Sequence, residues 1–366
     1  MKKFFDPETI ALIGASSNQG HPGYQLFSNM KDCFGDRFYP VNPKVKTLDG
    51  TTCYASILDV PSQIDLAVVF IPAKAVPQAL EECAQKGIRR VIIESGGFAE
   101  AGPAGVAIHE RCLEIAGRNQ MRLWGPNCMG LINVTQTKVL SFMLQFLWKG
   151  KFVKGPVSLV VQSGMLSAGF LSTILSRTPF GLSKIASIGN KMDVDESDVM
   201  EYLINDPDTG IIALYLESIQ DGRRFFDLCR STDKPIVILK SGRTEPGSQA
   251  ATSHTASLAQ NDAIVTGALR QAGVIRVFDM NDLLNTARCL GISRTRKKET
   301  GRRLAVLTFS GGAGVVATDS LADQDIQLAD FSALLKEKLK AVFPDWMEPA
   351  NPLDLYPAVE KIGAEK

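Results

Sequence analysis

The chain has 366 residues, 45% hydrophobic and 22% charged, more apolar material than one ordinary core uses, which implies two or three compact domains. Lys plus Arg number 40 against 39 Asp plus Glu, a net charge of +1 that offers no field to a polyanion and argues against nucleic acid as a partner. Seven scattered cysteines without a C-x-x-C pair and three isolated histidines argue against a disulfide framework and a zinc site, so no metal ligand is assigned.

The opening Met-Lys-Lys-Phe-Phe-Asp-Pro lacks the apolar run of a signal peptide, and the apolar stretch Phe142 to Trp148 is too short to span a bilayer. The expectation is a soluble cytoplasmic protein that engages no membrane. Short runs rich in Val and Ile then alternate with helical patterns, the mark of parallel βαβ units and an α/β fold. In a first domain, residues 1–148, strands are predicted at Ile10–Ile13, Arg37–Val41, Leu66–Ile71, Arg90–Ile93 and Arg122–Trp124, with helices such as Val76–Lys86 and Ala104–Arg118 between them. After the first strand comes Ile13-Gly14-Ala15-Ser16-Ser17-Asn18-Gln19-Gly20, small enough for backbone N–H groups to approach a phosphate at a helix N-terminus. It is neither G-x-G-x-x-G nor a P-loop, and such a turn either cradles a nucleotide or makes a tight connection.

The second strand ends in Asn42-Pro43-Lys44-Val45-Lys46, without the acidic residue that holds the ribose hydroxyls of NAD. That end suits a ribose carrying an extra phosphate, as in CoA or NADP, or else two surface lysines. It disfavours a nicotinamide dehydrogenase. Two further turns, Glu94-Ser95-Gly96-Gly97-Phe98 and Gly125-Pro126-Asn127-Cys128, fall at strand C-termini, the edge where open α/β sheets bind ligands. Lys149–Gly155 reads as a polar linker.

A second domain, residues 155–293, restarts with strands at Val157–Val161, Ser183–Ser187, Ile211–Leu216, Ile236–Lys240 and Ile275–Val277. Helices at Met165–Ser176, Ser197–Asn205, Arg223–Ser231, Asp262–Ala272 and Asn281–Leu290 complete a flavodoxin-like open sheet of five strands. A basic run, Arg294–Lys298, leads to a third block, residues 301–366, with a strand at Leu304–Phe309 and a helix through Ala322. That block is shorter than the ~100 residues typical of a domain and reads as an incomplete flavodoxin-like unit.

His21 and His109 read as solvated. His254 lies in the long small-residue stretch that follows the strand ending at Lys240, and long loops inside compact domains are often functional. Three elements share one sheet edge. Ser163-Gly164 opens a helix whose N–H donors and dipole suit a phosphate; Glu217 ends a strand; His254 follows the next. A carboxylate holding one imidazole N–H leaves the other nitrogen nucleophilic, which equips the set to accept a phosphoryl group. The competing reading of Glu217 is a surface ion pair with Arg223 or Arg224.

On the Ser253-His254-Thr255 loop introduced by Lys240-Ser241-Gly242-Arg243, on Val161-Gln162-Ser163-Gly164, Gly125-Pro126-Asn127 and Ser187-Ile188-Gly189-Asn190, and on the late Asn351-Pro352-Leu353-Asp354, the chain resembles the α subunit of NDP-forming acyl-CoA synthetases. The similarity is to the ADP-forming acetate–CoA ligases and, more distantly, to succinyl-CoA synthetase α. The resemblance implies a Rossmann-like CoA-binding first domain with Gly14, Ser16, Ser17, Asn18, Gln19, Lys44, Glu94, Ser95, Gly96 and Asn127 at the cofactor. It makes His254 the transiently phosphorylated residue and Glu217 its support, with Ser163, Gly164 and Ser253 at the phosphate. Acyl-CoA and phosphate would give an acyl phosphate, which phosphorylates the histidine, which phosphorylates ADP. ADP/ATP and Mg²⁺ would sit on a separate ATP-grasp β subunit in a hetero-oligomer, α2β2 being one form, with a small carboxylic acid or its acyl-CoA as substrate. Ala256 and Gln260 stand where the family commonly has Gly. The alternative function is a non-catalytic CoA-binding or regulatory protein of the same fold.

Overall fold

Buried on both faces, a central parallel strand needs an unbroken apolar run, and β1 (Ile10–Ile13) is buried at all of its residues. A computed structural model of the chain describes residues 1–176, 180–247, 261–293 and 301–363. The chain divides into two compact units, Met1–Thr295 and Arg296–Lys366.

In the first unit β1 is flanked by β2 (Phe38–Val41) and β3 (Leu66–Val69), followed outward by β4 (Arg90–Ile93) and β5 (Arg122–Trp124), all parallel. The order β2-β1-β3-β4-β5 puts a topological switch point between β1 and β3, where the crossovers diverge and leave a crevice at the strand C-termini. Helix α1 (Pro22–Phe34) follows β1. It starts where Pro22 fixes the backbone at its first position and His21 caps it, the imidazole Nδ1 accepting from Gly23 N at 3.0 Å. It stops at Gly35, whose φ of 54° ends the helical path. Its Leu26, Phe27, Met30 and Phe34 recur at helical spacing and are buried. Helices α2 (Val76–Gln85) and α3 (Pro103–Arg118) follow β3 and β4.

A hairpin, β6 (Leu131–Asn133) and β7 (Lys138–Leu140), then leaves the first sheet and joins the second. The second sheet is built on β8 (Lys154–Val161), β9 (Leu182–Ser187), β10 (Ile211–Leu216), β11 (Ile236–Lys240) and β12 (Ile275–Val277). Their spatial order β12-β11-β10-β8-β9 is the flavodoxin-like order expected, and the hairpin extends it antiparallel on β9, with Ile185 opposite Ile132. Helices α4 (Gly164–Ser176), α5 (Glu196–Asn205), α6 (Gly222–Arg230), α7 (Asp262–Gln271) and α8 (Met280–Ser293) alternate with these strands. The expectation of five strands missed the hairpin, which lies in the part of the chain assigned to the first domain and pairs across that boundary with β9. The polar linker also proved shorter, since Lys154 already opens β8 with an exposed side chain.

The two sheets share one core, in which Phe5, Trp124, Leu131, Val160 and Leu214 are all buried. Trp124 Nε1 donates to Ser187 O at 2.7 Å, and Asn29, fully buried on α1, donates to Ser141 O and Met143 O.

The second unit contains two strand pairs among its described residues: Arg303–Leu304 with Gln327–Leu328, and Leu307–Thr308 with Leu353–Asp354. The single strand expected at Leu304–Phe309 is thus broken. Val306 N donates at the break to Asn351 Oδ1 at 2.9 Å, while Asn351 Nδ2 donates to Leu304 O and Ala329 O. Helix α9 (Gly311–Ala322) follows, capped by Ser310, over a small core of Phe343, Leu353 and Ala358. No helix among the described residues is long and apolar enough to cross a membrane.

Candidate functional site

At the switch point of the first sheet lies a cleft of about 1140 Å³, somewhat above the ~300–1,000 Å³ range of small-molecule sites. Gly14, Ser16, Lys44, Glu94, Ser95, Gly96 and Asn127 all line it, although they come from four different loops. Ser17, Asn18 and Gln19 stand on the exposed turn beside it, outside its lining. Gly14 has a φ of 105°, and a Cβ there would fall 2.1 Å from Phe70 O, so the turn after β1 admits no side chain. The turn folds on itself, with Asn18 N donating to Ser16 Oγ and Gly20 N to Asn18 Oδ1. Asn42, to which the sequence reading gave no role, ties two of the cleft's loops together. Its Nδ2 donates to Ala15 O at 2.7 Å and its Oδ1 accepts from Lys44 N at 2.8 Å. Asn after a strand is a common turn former, which was the available signal. His21 is exposed at the cleft rim, where its imidazole serves as the cap of α1.

Glu94 is the chemically unusual member. It is 3% exposed at the end of β4, and neither carboxyl oxygen has a hydrogen-bond partner. Burial alone pushes its carboxyl well above the usual carboxylate range, which favours the neutral acid at the edge of the cleft. With the folded-state pKa raised, this group's stabilising contribution is complete below the unfolded pKa of 4.5 and fades as pH climbs toward the folded value. Glu94→Gln mimics the neutral acid and removes that dependence. Its unfolding free energy is expected to overtake that of wild type as pH rises from 5 to 8, measured by urea denaturation. An unchanged pH slope would show that Glu94 is ionised.

The second candidate site lies at the C-terminal edge of the second sheet. Strands β8 and β10 are neighbours, with Val161 opposite Tyr215, so Ser163-Gly164 at the start of α4 and Glu217 just past β10 come together. Ser163 O accepts from Ser167 N and Ser167 Oγ in the first turn of α4. Glu217 is 8% exposed, and Tyr215 Oη donates to its Oε1 at 3.4 Å. The arginines that competed for it are engaged elsewhere: Arg223 with Asp227, and Arg224 with Asp198 and Glu201. Ser253 and His254, together with Ala256 and Gln260, lie outside the described residues. The chain leaves β11 toward them at Lys240, one strand over from Glu217, where Leu216 and Lys240 are paired. Gln162, Lys191 and Lys240 also surround Glu217. Gln162 and Lys240 stand in two of the motifs quoted above without a role of their own, Lys191 stands in none, and only the packing of separate loops brings the three together.

One short segment separates the two sites. Asn190 N donates to Pro126 O at 2.9 Å, Met192 N to Gly125 O at 2.7 Å and Met129 N to Ser187 Oγ at 2.9 Å. Gly189 has a φ of 58° and lies so close to this segment that a Cβ would fall 2.2 Å from Pro126 O. On the other side, a Cβ on Gly164 would come within 3.3 Å of Met129 Cγ. Asn127, on the cleft, is therefore two residues from the methionine that packs on the N-terminus of α4. A helix N-terminus with a fixed carboxylate nearby is suited to an anion and its carrier, and the cleft is suited to a long ligand running up to them.

Residues 8–134 match the family described as a CoA binding domain, and residues 154–290 match the succinyl-CoA ligase like flavodoxin domain. The chain is 37% identical over 354 residues to the acetate–CoA ligase (ADP-forming) II subunit alpha of Pyrococcus furiosus, covering 96% of this chain and 75% of that one. It is 38% identical over 368 residues to the acetate–CoA ligase (ADP-forming) II of Archaeoglobus fulgidus, covering 100% of this chain and 54% of that protein, so it spans about half the length of that relative. Among solved structures it is similar to the dinucleotide forming acetyl-coenzyme A synthetase 1 of Ca. Korarchaeum cryptofilum in complex with phosphate and ADP, with a TM-score of 0.82, 33% identity and coverage of 97% and 75%.

Proposed function

This chain belongs to the ADP-forming acetate–CoA ligase family, and from that premise we propose that it is the α part of an ADP-forming acyl-CoA synthetase. It would interconvert acyl-CoA, ADP and phosphate with a carboxylic acid, CoA and ATP, by way of an acyl phosphate and a phosphohistidine. The observation that carries the reading is the pairing, across the Gly125–Met129 segment, of a long cleft with an anion-competent helix end and a fixed carboxylate.

CoA supplies the thiol that carries the acyl group. The first turn after β1, free of side chain at Gly14, lets backbone N–H groups face its diphosphate, with Lys44 near the ribose phosphate. Glu94, Ser95, Gly96 and Asn127 line the end of the cleft nearest the second sheet. There phosphate, held at Ser163 and Gly164, attacks the thioester carbonyl, and the thiolate leaves as CoA. His254 then takes the phosphoryl group from the acyl phosphate and releases the carboxylate, while Glu217 holds the far imidazole N–H and keeps the attacking nitrogen unprotonated. Ser253 would help seat the phosphate. Delivery to ADP requires an ATP-grasp β partner holding Mg²⁺. The name of the Pyrococcus relative as a subunit alpha, and the length of the Archaeoglobus relative, support such a partner. A cytoplasmic, hetero-oligomeric enzyme follows.

The test is to incubate the chain and its candidate β partner with Mg²⁺ and γ-labelled ATP. Acid-labile, base-stable label on the chain is expected, absent in His254→Asn. Binding of CoA without any label in wild type would sink the enzyme reading and leave a CoA-binding protein. Label that persists in His254→Asn would put the carrier elsewhere.

A further inference from the structure

The two-residue turn that carries Glu217 has all four of its backbone polar groups held by buried side chains from three other segments. Glu217 N and Ser218 N both donate to Gln162 Oε1, at 2.8 and 3.0 Å. Glu217 O accepts from Lys240 Nζ at 2.8 Å, and Ser218 O accepts from Lys191 Nζ at 2.9 Å. The Ser218 hydroxyl is held as well, by Gln162 Nε2 at 3.3 Å and Lys191 Nζ at 3.1 Å. Gln162 and Lys191 are each 3% exposed and Lys240 is 5% exposed.

This is an expensive way to satisfy two peptide units, because lysine is almost never fully buried unless paired. Lys191 has a carboxylate, Glu196, at 2.8 Å. Among the described residues Lys240 places its ammonium on carbonyls alone, Glu217 O at 2.8 Å and Ser241 O at 2.7 Å. Burial, together with the neighbouring Arg276 and Lys191, pushes that ammonium down to about 8, against the opposing pull of Asp262 and Glu217. Taking an ammonium out of water costs stability, and the two carbonyls it satisfies offset that cost only in part. Gln162, for its part, is the residue before Ser163. The side chain that grips the Glu217 turn is thereby fixed to the start of α4, and sets the carboxylate relative to the helix end.

We propose that Lys240 and Gln162 are positioning residues, which lock the Glu217 carboxylate against the N-terminus of α4 so that it meets the phosphate-carrying imidazole in one geometry. The proposal rests on the reading of Glu217 as the support of that histidine. Misplacement by an ångström at such a site costs rate without touching remote binding, and the CoA cleft lies on the other sheet.

The test uses the chain with its β partner, γ-labelled ATP and Mg²⁺. Lys240→Met, which removes a desolvated ammonium but leaves two carbonyls without its donor, is expected to fold with a Tm close to wild type and to bind CoA as wild type does, yet to form phosphohistidine at least about tenfold more slowly. In a Glu217→Gln background the same substitution should have no further effect, because it acts through that carboxylate. Gln162→Met should behave alike, and Gln162→Glu should recover to within a few-fold, since its carboxylate accepts from the same two N–H groups. Wild-type rate in Lys240→Met, a full additional loss in the Glu217→Gln background, or a fall in Tm that accounts for the lost rate would each overturn the proposal. A wild type that never takes label overturns the functional reading, and the clamp's role with it. A labelled wild type beside an unaffected Lys240→Met overturns the clamp alone.

Discussion

Glu217→Gln is expected to slow phosphorylation of the histidine by about 10²–10⁴-fold, with the affinity for CoA unchanged. The amide keeps the shape of the carboxylate and its place past β10, so the fold should tolerate it. What it loses is charge and a one-sided hydrogen-bonding rule. A carboxylate only accepts, and so dictates that the imidazole nitrogen facing it carries the proton; an amide can present its NH₂ and stabilise the wrong tautomer. It also withdraws the negative charge that offsets an imidazole turning cationic as it attacks. The buried setting magnifies both effects, because Glu217 is 8% exposed and screened little by water. Rapid-quench labelling gives the rate, and CoA titration gives the control. A loss confined to CoA affinity would move Glu217 out of the phosphoryl step.

Glu196→Ala is expected to lower the unfolding free energy by about 3–5 kcal/mol. Glu196 is fully buried at the start of α5 and pairs with Lys191 at 2.8 Å, both side chains 2% exposed or less. Its other oxygen accepts from Gln220 N at 2.7 Å. Truncation leaves a buried ammonium without its counter-charge and a part-buried peptide N–H without its acceptor, which is why the effect should far exceed that of an exposed pair. Glu201→Ala, which breaks a pair with the surface Arg224, is expected to cost about 1 kcal/mol or less. Urea unfolding of both variants decides the point, and Lys191→Met added to Glu196→Ala should return part of the loss. Equal costs in the two variants would mean that Lys191 finds water.

Much of this architecture was legible in the chain. Strands at Ile10–Ile13, Ile211–Leu216 and Ile236–Lys240 stand where Val- and Ile-rich runs predict them, because a strand covered on both faces must be apolar throughout, and those at Arg90–Ile93, Arg122–Trp124 and Ile275–Val277 also stand where expected. Gly14 and the loops ending at Lys44, Gly96 and Asn127 were legible as strand termini, and topology alone brings strand termini to one edge. Hidden were the groups whose meaning depends on distant neighbours. Lys191 and Lys240 look like surface lysines until loops from three strands close over them. Glu94 reads as an ordinary carboxylate until β4 and the Gly130 approach remove its water, a Cβ on Gly130 falling 2.3 Å from its Oε1. The β6–β7 hairpin was hidden because it pairs across the expected domain boundary, where its place is set by the open side of β9.

That hairpin bears on how the chain could be dissected. It is spun out of the segment that follows the cofactor sheet, yet it closes the flank of the other sheet. A cut near residues 149–153, the obvious place to separate two modules, would strip the cover from β9 and leave a raw row of peptide groups ready to recruit a stranger's strand. Neither half would be a clean part for transplanting. The nucleotide-type half would carry away an orphan ribbon, and the phosphoryl-type half would be sticky. Separating them calls for a substitute for ten residues of ribbon.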